Sequence, residues 1–380
     1  MPFELTGEQE MFRKSLRGFL EEKVAPRAAE IDEKDEFPRD VYGTLSEMGV
    51  QASFFPEKYG GSEGDLLTCC LVTEEISRVS ATLACITGPP LSLASAAFRL
   101  AGTHEQKAKY LPKLASGECI YAIAITEPDA GSDVSGIKTT AVLDGDYYVL
   151  NGTKRFHTGG DEAEVTTVYA KTDPSKGANG LSTFIVEGGI PGRIISKKEK
   201  MMGIRGASSC EMIFEDCRIP RENLLGKEDE AFKDIMHTLD ESRPIVAAMG
   251  VGLAQGALEY AVNYSKERVQ FGQPICQFQG IQFMLADMAT HIEASRYLVY
   301  RAASIALNRN RESMMLASMA KYFSSDVAMS VTTDAVQILG GYGYCQEYPV
   351  ERMMRDAKCF QIFEGTNQIQ RVVVARSLLG

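Results

Sequence analysis

The chain has 380 residues, enough for two or three domains with substantial cores. Its composition, 44% hydrophobic and 24% charged, is that of an ordinary globular protein, and its net charge of −11 argues against a general binder of nucleic acid or of anionic membranes.

The cysteines and histidines narrow the class of protein further. Nine cysteines without CxxC spacing indicate reduced, mostly buried thiols, as in a cytoplasmic protein. Four histidines without HxxxH or HExxH spacing suggest no metal site. Met1–Glu4 lack the basic start of a signal peptide, and no apolar stretch approaches the roughly 18–20 residues of a membrane span. We therefore expect a soluble, cytoplasmic protein without membrane insertion.

The first third of the chain shows a helical period. Thr6 followed by Gln9 is typical of a capping box that opens a helix. Breaks at Tyr59-Gly60-Gly61 and at Gly88-Pro89-Pro90 separate the later helical segments. Those segments are 41–48, 66–79, 91–100 and 105–114. The pattern predicts an N-terminal α-helical domain over residues 1–120.

A period of two replaces the helical period after Gly117. The Asp144-Gly145 pair between two apolar runs predicts a hairpin, and Asn151-Gly152 predicts a second turn. Further strands are predicted at 165–171, 181–186 and 211–214. These strands indicate a middle β domain over residues 121–230.

The helical period returns for the last part of the chain. Long helices are predicted at about 232–268, 278–309, 312–341 and 348–377. The first is rich in glycine and alanine, which permit close approach of helices although each glycine lowers helix propensity by about 1 kcal/mol. The pattern predicts a C-terminal four-helix bundle over residues 231–380.

Near the C-terminus, Glu364 follows Ile362 and Phe363 and precedes Gly365. A carboxylate buried among apolar neighbours has its pKa raised, as a base working near neutral pH requires. Gly365 allows a carbonyl to approach the backbone closely, as oxyanion stabilisation demands. An ordinary glutamate on a helix edge is the alternative.

Two further stretches contain loop chemistry. The run "ITEPDAGSD" (125–133) supplies turn residues, N–H groups and hydroxyls that could hold a phosphate, or could form a solvated loop. The run "QILGGYG" (337–343) is typical of a helix C-cap and tight turn. Because no strand precedes its glycines, a Rossmann fingerprint is excluded.

These stretches, with "FEGTNQIQR" (363–371), resemble the signatures of the acyl-CoA dehydrogenase family, and the similarity extends over essentially the whole chain. The resemblance implies a mainly α fold with a central β domain: a helical domain, a β-barrel-like domain and a four-helix bundle. It also implies FAD as cofactor and an acyl-CoA as substrate.

The resemblance implies a role for each matching residue. Glu364 would abstract the α-proton, and the backbone N–H of Gly365 or Glu364 would bind the thioester carbonyl. Contacts to FAD would come from Ile123, Ala124, Ile125, Thr126, Gly131, Ser132, Phe156, His157, Thr158, Arg268, Phe271, Phe278, Gln279, Gln337, Ile338, Leu339, Gly340, Gly341, Thr366 and Gln368. Contacts to the substrate would come from Ser132, Asp240, Arg243 and Gly365.

Three positions concern specificity. Some members of the family, including the isovaleryl-CoA type, carry the base at the position of Ser242, so Glu364 is left as the base here. His157 departs from the usual aliphatic residue; it either packs differently or provides a second titratable group beside the flavin. The glutaryl-CoA branch has an arginine near the position of Ala84, so a glutaryl substrate is not expected.

The stiff Gly88-Pro89-Pro90 segment falls where relatives line the acyl pocket, which favours a short, branched or cyclic acyl group. By the same resemblance, electron-transferring flavoprotein would be the oxidant and a dimer of dimers the assembly. Two alternatives remain: a physiological enoyl-CoA reductase, and a non-catalytic relative of the same fold.

Overall fold

The computed structural model describes residues 5–380. The expectation of no signal peptide at Met1–Glu4 concerns residues outside this range. Thr6 caps the first helix as predicted, with Gln9 completing the capping box. The N-terminal α-helices are α1 (Gly7–Phe19), α2 (Ala28–Lys34), α3 (Arg39–Glu47), α4 (Leu66–Val79), α5 (Ala81–Ala101) and α6 (His104–Ala115).

The predicted break at Gly88-Pro89-Pro90 is wrong, because α5 runs without interruption through all three residues. Each proline removes an N–H that would bond to the carbonyl four residues earlier. All three residues are buried, and nearly the whole of α5 lies in the core. Tertiary packing therefore maintains a helix that local propensity disfavours.

The middle of the chain forms one eight-stranded sheet in the order β6-β7-β3-β2-β4-β5-β8, with β1 parallel to β4. Its strands are β1 (Tyr121–Ala124), β2 (Thr140–Asp144), β3 (Tyr147–His157), β4 (Val165–Lys171), β5 (Leu181–Glu187), β6 (Arg193–Lys198), β7 (Cys210–Pro220) and β8 (Leu224–Leu225). The hairpin turn at Asp144-Gly145 and the strand at 165–171 confirm the predictions. The sequence pattern missed β6, whose residues are mostly exposed and do not alternate.

The second predicted turn, at Asn151-Gly152, is also wrong. β3 continues through it, and its register against β7 shifts between Leu150 and Gly152. A side chain at position 152 would lie 2.4 Å from the Thr139 hydroxyl. Glycine is therefore used here for a bulge and a close approach.

The C-terminal helices are α7 (Ala231–Glu267), α8 (Gln279–Ile305), α9 (Arg311–Leu339), α10 (Pro349–Phe360) and α11 (Asn367–Leu379). A small hairpin, β9 (Val269–Gln270) and β10 (Gln273–Pro274), joins α7 to α8. The predicted fourth helix at 348–377 is wrong, since it is divided into α10 and α11. The break contains two consecutive left-handed residues, Glu364 at φ 55° and Gly365 at φ 87°.

Two helices are long and apolar enough to span a membrane by length and composition, so the expectation that no stretch approaches this length was wrong. They are Ala81–Ala101 and Ala231–Glu267, whose most apolar windows are 94% and 72% buried inside the protein. Core helices meet the same criteria, and both helices pack in the main core.

Candidate active site

Glu364 does not lie on a helix edge but in the turn between α10 and α11, here called the Glu364 turn (residues 361–366). Thr366 closes the turn as the N-cap of α11, accepting a hydrogen bond from the N–H of Ile369 at 3.3 Å. The turn directs the half-buried Glu364 toward α7. Gln368, by contrast, is exposed on α11.

The Glu364 carboxylate is bonded to α7. The Ser242 hydroxyl, which is buried, donates to Glu364 Oε2 at 3.0 Å and lies 3.1 Å from the Leu239 carbonyl oxygen. Desolvation raises the pKa of Glu364, while the bond from Ser242 and the charges of Arg243 and Lys321 oppose that rise. A carboxyl group with these neighbours is suited to accept a proton near neutral pH.

Asp240 and Arg243 lie inside α7, well after its start at Ala231. Arg243 donates to Asp240 through Nη1, while its buried Nε has no partner among residues 5–380. Desolvation raises the pKa of Asp240 and lowers that of Arg243. The unpaired Nε–H can donate to one more anionic or carbonyl oxygen.

Lys321, on α9, was missed by the sequence analysis although it is fully buried. Its ammonium donates to the Gly365 carbonyl at 2.7 Å and to Asn367 Oδ1 at 3.2 Å. The available signal was its helical phase: it follows Ala317 by one turn, on a face that is otherwise small and buried.

The stretch 123–132 begins on β1 and continues beyond the end of that strand. It is stabilised by a buried ion pair that the sequence analysis also missed. Lys154, on β3, donates to the Ile125 carbonyl at 3.0 Å and to Glu127 at 2.9 Å. Glu127 also accepts two backbone N–H groups, and together these contacts lower its pKa. Of the predicted residues here, Ile123 and Ala124 lie on β1, Ile125 and Thr126 follow it, and Gly131 and Ser132 are exposed.

At the end of β3, neighbouring side chains differ in their exposure to solvent. Phe156, at φ 61°, is 54% exposed, whereas His157 is 2% exposed with no partner for either ring nitrogen among residues 5–380. Burial, with the charges of Lys154 and Arg193, lowers the pKa of His157 to about 3. A neutral, buried ring favours the packing interpretation of His157. Burial raises the pKa of the neighbouring Cys85 thiol, and Thr158 opposes that rise.

A cleft of about 420 Å³ lies at the C-terminal end of α9 and brings another group of predicted residues together. Arg268 stacks on the Tyr342 ring at 5.1 Å and makes no ion pair within the described chain. The cleft is lined by Tyr264, Arg268, Gln270, Ile275, Ile338, Leu339, Gly340, Gly341, Tyr342 and Cys345. Next to the cleft, Phe271 packs edge-on against Phe278. Gln279 is the first residue of α8, and Gln337 lies in the last turn of α9.

The cleft has the features that FAD requires. The guanidinium of Arg268 is free for a phosphate, and the buried hydroxyl of Tyr264 has no partner among residues 5–380. Added side chains at Gly340 and Gly341 would meet only open space, so their backbone can be approached closely. The residues present therefore fit part of a dinucleotide.

The cleft lies at the C-terminal end of α9, whereas the Glu364 turn lies beside the middle of that helix. Lys321 contacts the turn and Ile338 lines the cleft, which separates them by roughly 25 Å at about 1.5 Å per residue. Among residues 5–380 the structure thus joins Glu364, Gly365, Asp240 and Arg243 in one place and the cleft residues in another.

Comparison with known proteins identifies the chain at the level of family. Models described as the N-terminal, middle and C-terminal domains of acyl-CoA dehydrogenase match residues 6–118, 122–217 and 230–379, respectively. These matches confirm the predicted fold class.

Similar proteins match over their full length. A short-chain-specific acyl-CoA dehydrogenase of Clostridium acetobutylicum is 46% identical, with 99% of each chain covered. A cyclohex-1-ene-1-carbonyl-CoA dehydrogenase of Syntrophus aciditrophicus is 47% identical, covering 99% of this chain and 91% of that protein. A chain solved in work on the electron transferring flavoprotein of Acidaminococcus fermentans superposes with a TM-score of 0.97 at 49% identity, with 100% of both chains covered. The chain therefore belongs to the acyl-CoA dehydrogenase family, whose members are FAD-dependent oxidoreductases.

Proposed function

We propose that this acyl-CoA dehydrogenase converts a short, branched or cyclic acyl-CoA to the 2-enoyl-CoA, with Glu364 as the acceptor of the α-proton. The observation that carries the proposal is the setting of the carboxylate. Glu364 is desolvated, bonded to Ser242 at 3.0 Å and turned toward the cationic Arg243. Desolvation raises the pKa of Glu364, as a base that accepts a proton near neutral pH requires, and the neighbouring cations keep its ionised form accessible.

The Glu364 turn also offers donors for a thioester carbonyl. The backbone N–H groups of Glu364 and Gly365 donate to no acceptor within residues 5–380. Donors fixed in this way stabilise the negative charge that develops on a carbonyl oxygen as the α-proton leaves. Gly365 at φ 87° permits the close approach.

When bound, FAD accepts the β-hydride and so supplies the redox chemistry. The residues proposed to hold it are those of the 123–132 stretch, Phe156 and Thr158 on one side and those of the cleft around Arg268 on the other. Because roughly 25 Å along α9 separate the cleft from the Glu364 turn, we propose that each flavin is held between two copies of the chain.

The acyl group is proposed to lie against α5 and α7. Gly88 is buried, and a side chain there would approach Thr73 to 3.0 Å and Ile245 to 3.2 Å. Such a tightly packed wall favours a small or compact acyl group over a long chain. The names of the Clostridium and Syntrophus relatives, one short-chain and one cyclic, support this class.

We further propose electron-transferring flavoprotein as the oxidant, a dimer of dimers as the assembly and the cytoplasm as the location. The Acidaminococcus match supports the first of these, since that chain was solved in work on such a flavoprotein. The fully exposed Phe271 beside the cleft supports assembly, and nine free cysteines support a reducing compartment.

The test is anaerobic titration of the purified protein with a panel of acyl-CoAs, following flavin absorbance near ~450 nm. We expect bleaching by short, branched or cyclic acyl-CoAs, and a rate lower by about 10²–10⁴-fold in Glu364→Gln, since the general base is lost. Glu312→Gln, which changes an exposed glutamate on α9, should behave as wild type.

Other outcomes would contradict the proposal. Fastest bleaching by long straight-chain acyl-CoAs would exclude the substrate class. Unchanged bleaching in Glu364→Gln would exclude the base. A flavin that no acyl-CoA bleaches but that enoyl-CoAs reoxidise after chemical reduction would indicate a reductase.

A further inference from the structure

We propose that Lys321 and Gln370 act as positioning residues: together they clamp the backbone of the Glu364 turn, and Lys321 also tunes the base electrostatically. This inference rests on the proposed role of Glu364. Neither residue touches the carboxylate of Glu364 directly; both act on the carbonyl groups beside it.

The clamp consists of four hydrogen bonds from two buried side chains. Lys321 Nζ donates to the Gly365 carbonyl at 2.7 Å. Gln370 Nε2 donates to the carbonyls of Glu364 and Gly365 at 3.2 and 3.1 Å. Lys321 makes its remaining bond to Asn367 Oδ1 at 3.2 Å. Both clamp residues have 0% exposure, so water does not compete for these carbonyls.

The backbone that they hold is strained. Glu364 is a non-glycine residue at φ 55°, and it is followed by Gly365 at φ 87°. A non-glycine residue stays in the left-handed region only where its surroundings impose it. A side chain at position 365 would lie 2.7 Å from Gln370 Nε2, so the amide packs directly on the glycine. The clamp is the contact that imposes this conformation.

The orientation of Lys321 is itself fixed. Asn367 Nδ2 donates to Asp326 Oδ1 at 2.8 Å and to Ser325 Oγ at 2.9 Å, which leaves Asn367 Oδ1 facing the lysine. Lys321 therefore has one rotamer that satisfies both acceptors. A buried lysine without such partners would be strongly disfavoured.

Lys321 also contributes charge to the site. Its ammonium favours the ionised form of Glu364, and Glu364 in turn favours the protonated lysine. Desolvation lowers the pKa of Lys321 to about 7. The other titratable groups facing the pair are Asp240 and Arg243 from α7, Asp326 from α9, Cys359 from α10 and Cys85 from α5. Gln370 carries no charge, so a comparison of Gln370 with Lys321 separates the effect of the hydrogen bonds from the effect of the charge.

The experiment compares Lys321→Met and Gln370→Met with wild type in the holoenzyme. Both variants remove a donor to the Gly365 carbonyl, so flavin reduction by the best acyl-CoA should slow by about tenfold or more, as expected for a displaced base. Only Lys321→Met removes a charge, so only its rate profile should shift to higher pH. Lys14→Met, which changes an exposed lysine on α1, is the matched control and should leave rate and profile unchanged.

A second readout does not depend on turnover. Amide hydrogen exchange in residues 361–370 should rise in Lys321→Met and Gln370→Met and not in Lys14→Met, because the turn opens more often once its clamp is lost. If no acyl-CoA reduces even the wild type, the proposed function fails while this readout still tests the clamp. If Lys321→Met does not fold, Gln370→Met must still raise exchange and slow the reaction.

The inference is overturned if both variants retain the wild-type rate and wild-type exchange. It is also overturned if they lose only thermal stability, with unchanged rate, exchange in 361–370 and pH profile, since their role would then be structural alone. A shift of the pH profile in Gln370→Met equal to that in Lys321→Met would exclude the electrostatic part.

Discussion

Glu364 is subject to two opposing influences at the scale of the single residue. Removal from water raises its pKa, whereas the hydroxyl of Ser242 and the charges of Arg243 and Lys321 lower it. The balance determines the pH at which the base becomes ionised. Ser242 is the only one of the three that bonds directly to the carboxylate among residues 5–380.

Replacing Ser242 by alanine should raise the pKa of Glu364, because the ionised carboxylate loses a donor. The base must be ionised to act, so the rising limb of the rate profile should move to higher pH. Hydrogen bonds to charged groups contribute about 1.5–3 kcal/mol, so on the acid side flavin reduction should slow by about tenfold or more. Stopped-flow reduction across a pH series measures this.

Ser265→Ala is the matched control for that experiment. Ser265 is also buried on α7 and also bonds a carbonyl three residues earlier, at 2.8 Å, but it has no contact with Glu364. The pH–rate profile of Ser265→Ala should match that of wild type. A Ser242→Ala profile that coincides with the control would show that the 3.0 Å contact does not influence the base.

At the scale of elements, α7 organises the C-terminal part by packing its glycines directly on neighbouring backbones. A side chain at Gly252 would lie 2.0 Å from the Glu74 carbonyl oxygen of α4, and one at Gly256 would lie 2.1 Å from that of Arg78. Ser77, also on α4, donates to the Met249 carbonyl at 2.7 Å. The close helix approach expected from the glycine and alanine content is confirmed. It also places Ser242 and Arg243, on the same helix, relative to the Glu364 turn.

Gly252→Ala should therefore destabilise the protein even though alanine is the better helix former. Overpacking costs about 1–3 kcal/mol or more, because neither backbone can move without displacing its helix. Thermal unfolding should begin at a lower temperature than in wild type. In Gly43→Ala, on α3, the new side chain meets nothing within 4 Å. That control should be neutral or stabilised by up to about 1 kcal/mol. Equal melting temperatures for the two variants would contradict the packing argument.

At the scale of the whole molecule, the proposal of a flavin shared between two copies leaves each copy with two incomplete parts of a site. The Glu364 turn lies beside the middle of α9, and the cleft around Arg268 lies at the C-terminal end of that helix. Phe271, next to the cleft, is 95% exposed, and Tyr344 is 87% exposed. Large aromatic side chains this exposed are typical of contact surfaces.

Phe271→Ser should weaken assembly and flavin retention together if the cleft is completed by a second copy. We expect a smaller particle in analytical ultracentrifugation and a flavin content reduced several-fold at low protein concentration. Val142→Ser, which changes an exposed apolar residue on β2, is the control. Full flavin content in a monomeric Phe271→Ser protein would contradict a shared flavin site.

Local sequence determined much of this protein. The capping box of Thr6 and Gln9, the Asp144-Gly145 turn and the strand at 165–171 depend on neighbouring residues alone, so their patterns predicted them correctly. The family signatures also lie in short continuous runs. They predicted Glu364 as the base and FAD as the cofactor, and the family matches support FAD. They also singled out Arg268, Ile338, Leu339, Gly340 and Gly341, which the structure brings together in the cleft.

Tertiary structure decided the rest, because the energies involved come from residues distant in sequence. α5 continues through Pro89 and Pro90 because its faces are buried. The helix predicted at 348–377 is divided by the Glu364 turn. The left-handed backbone of this turn accepts hydrogen bonds from the side chains of Lys321 and Gln370, which the local sequence does not predict. The sequence by itself determined the family and predicted which carboxylate acts as the base. Only the packing of α7 and α9 around it decided the hydrogen bonds, the charges and the strained turn that hold it in place.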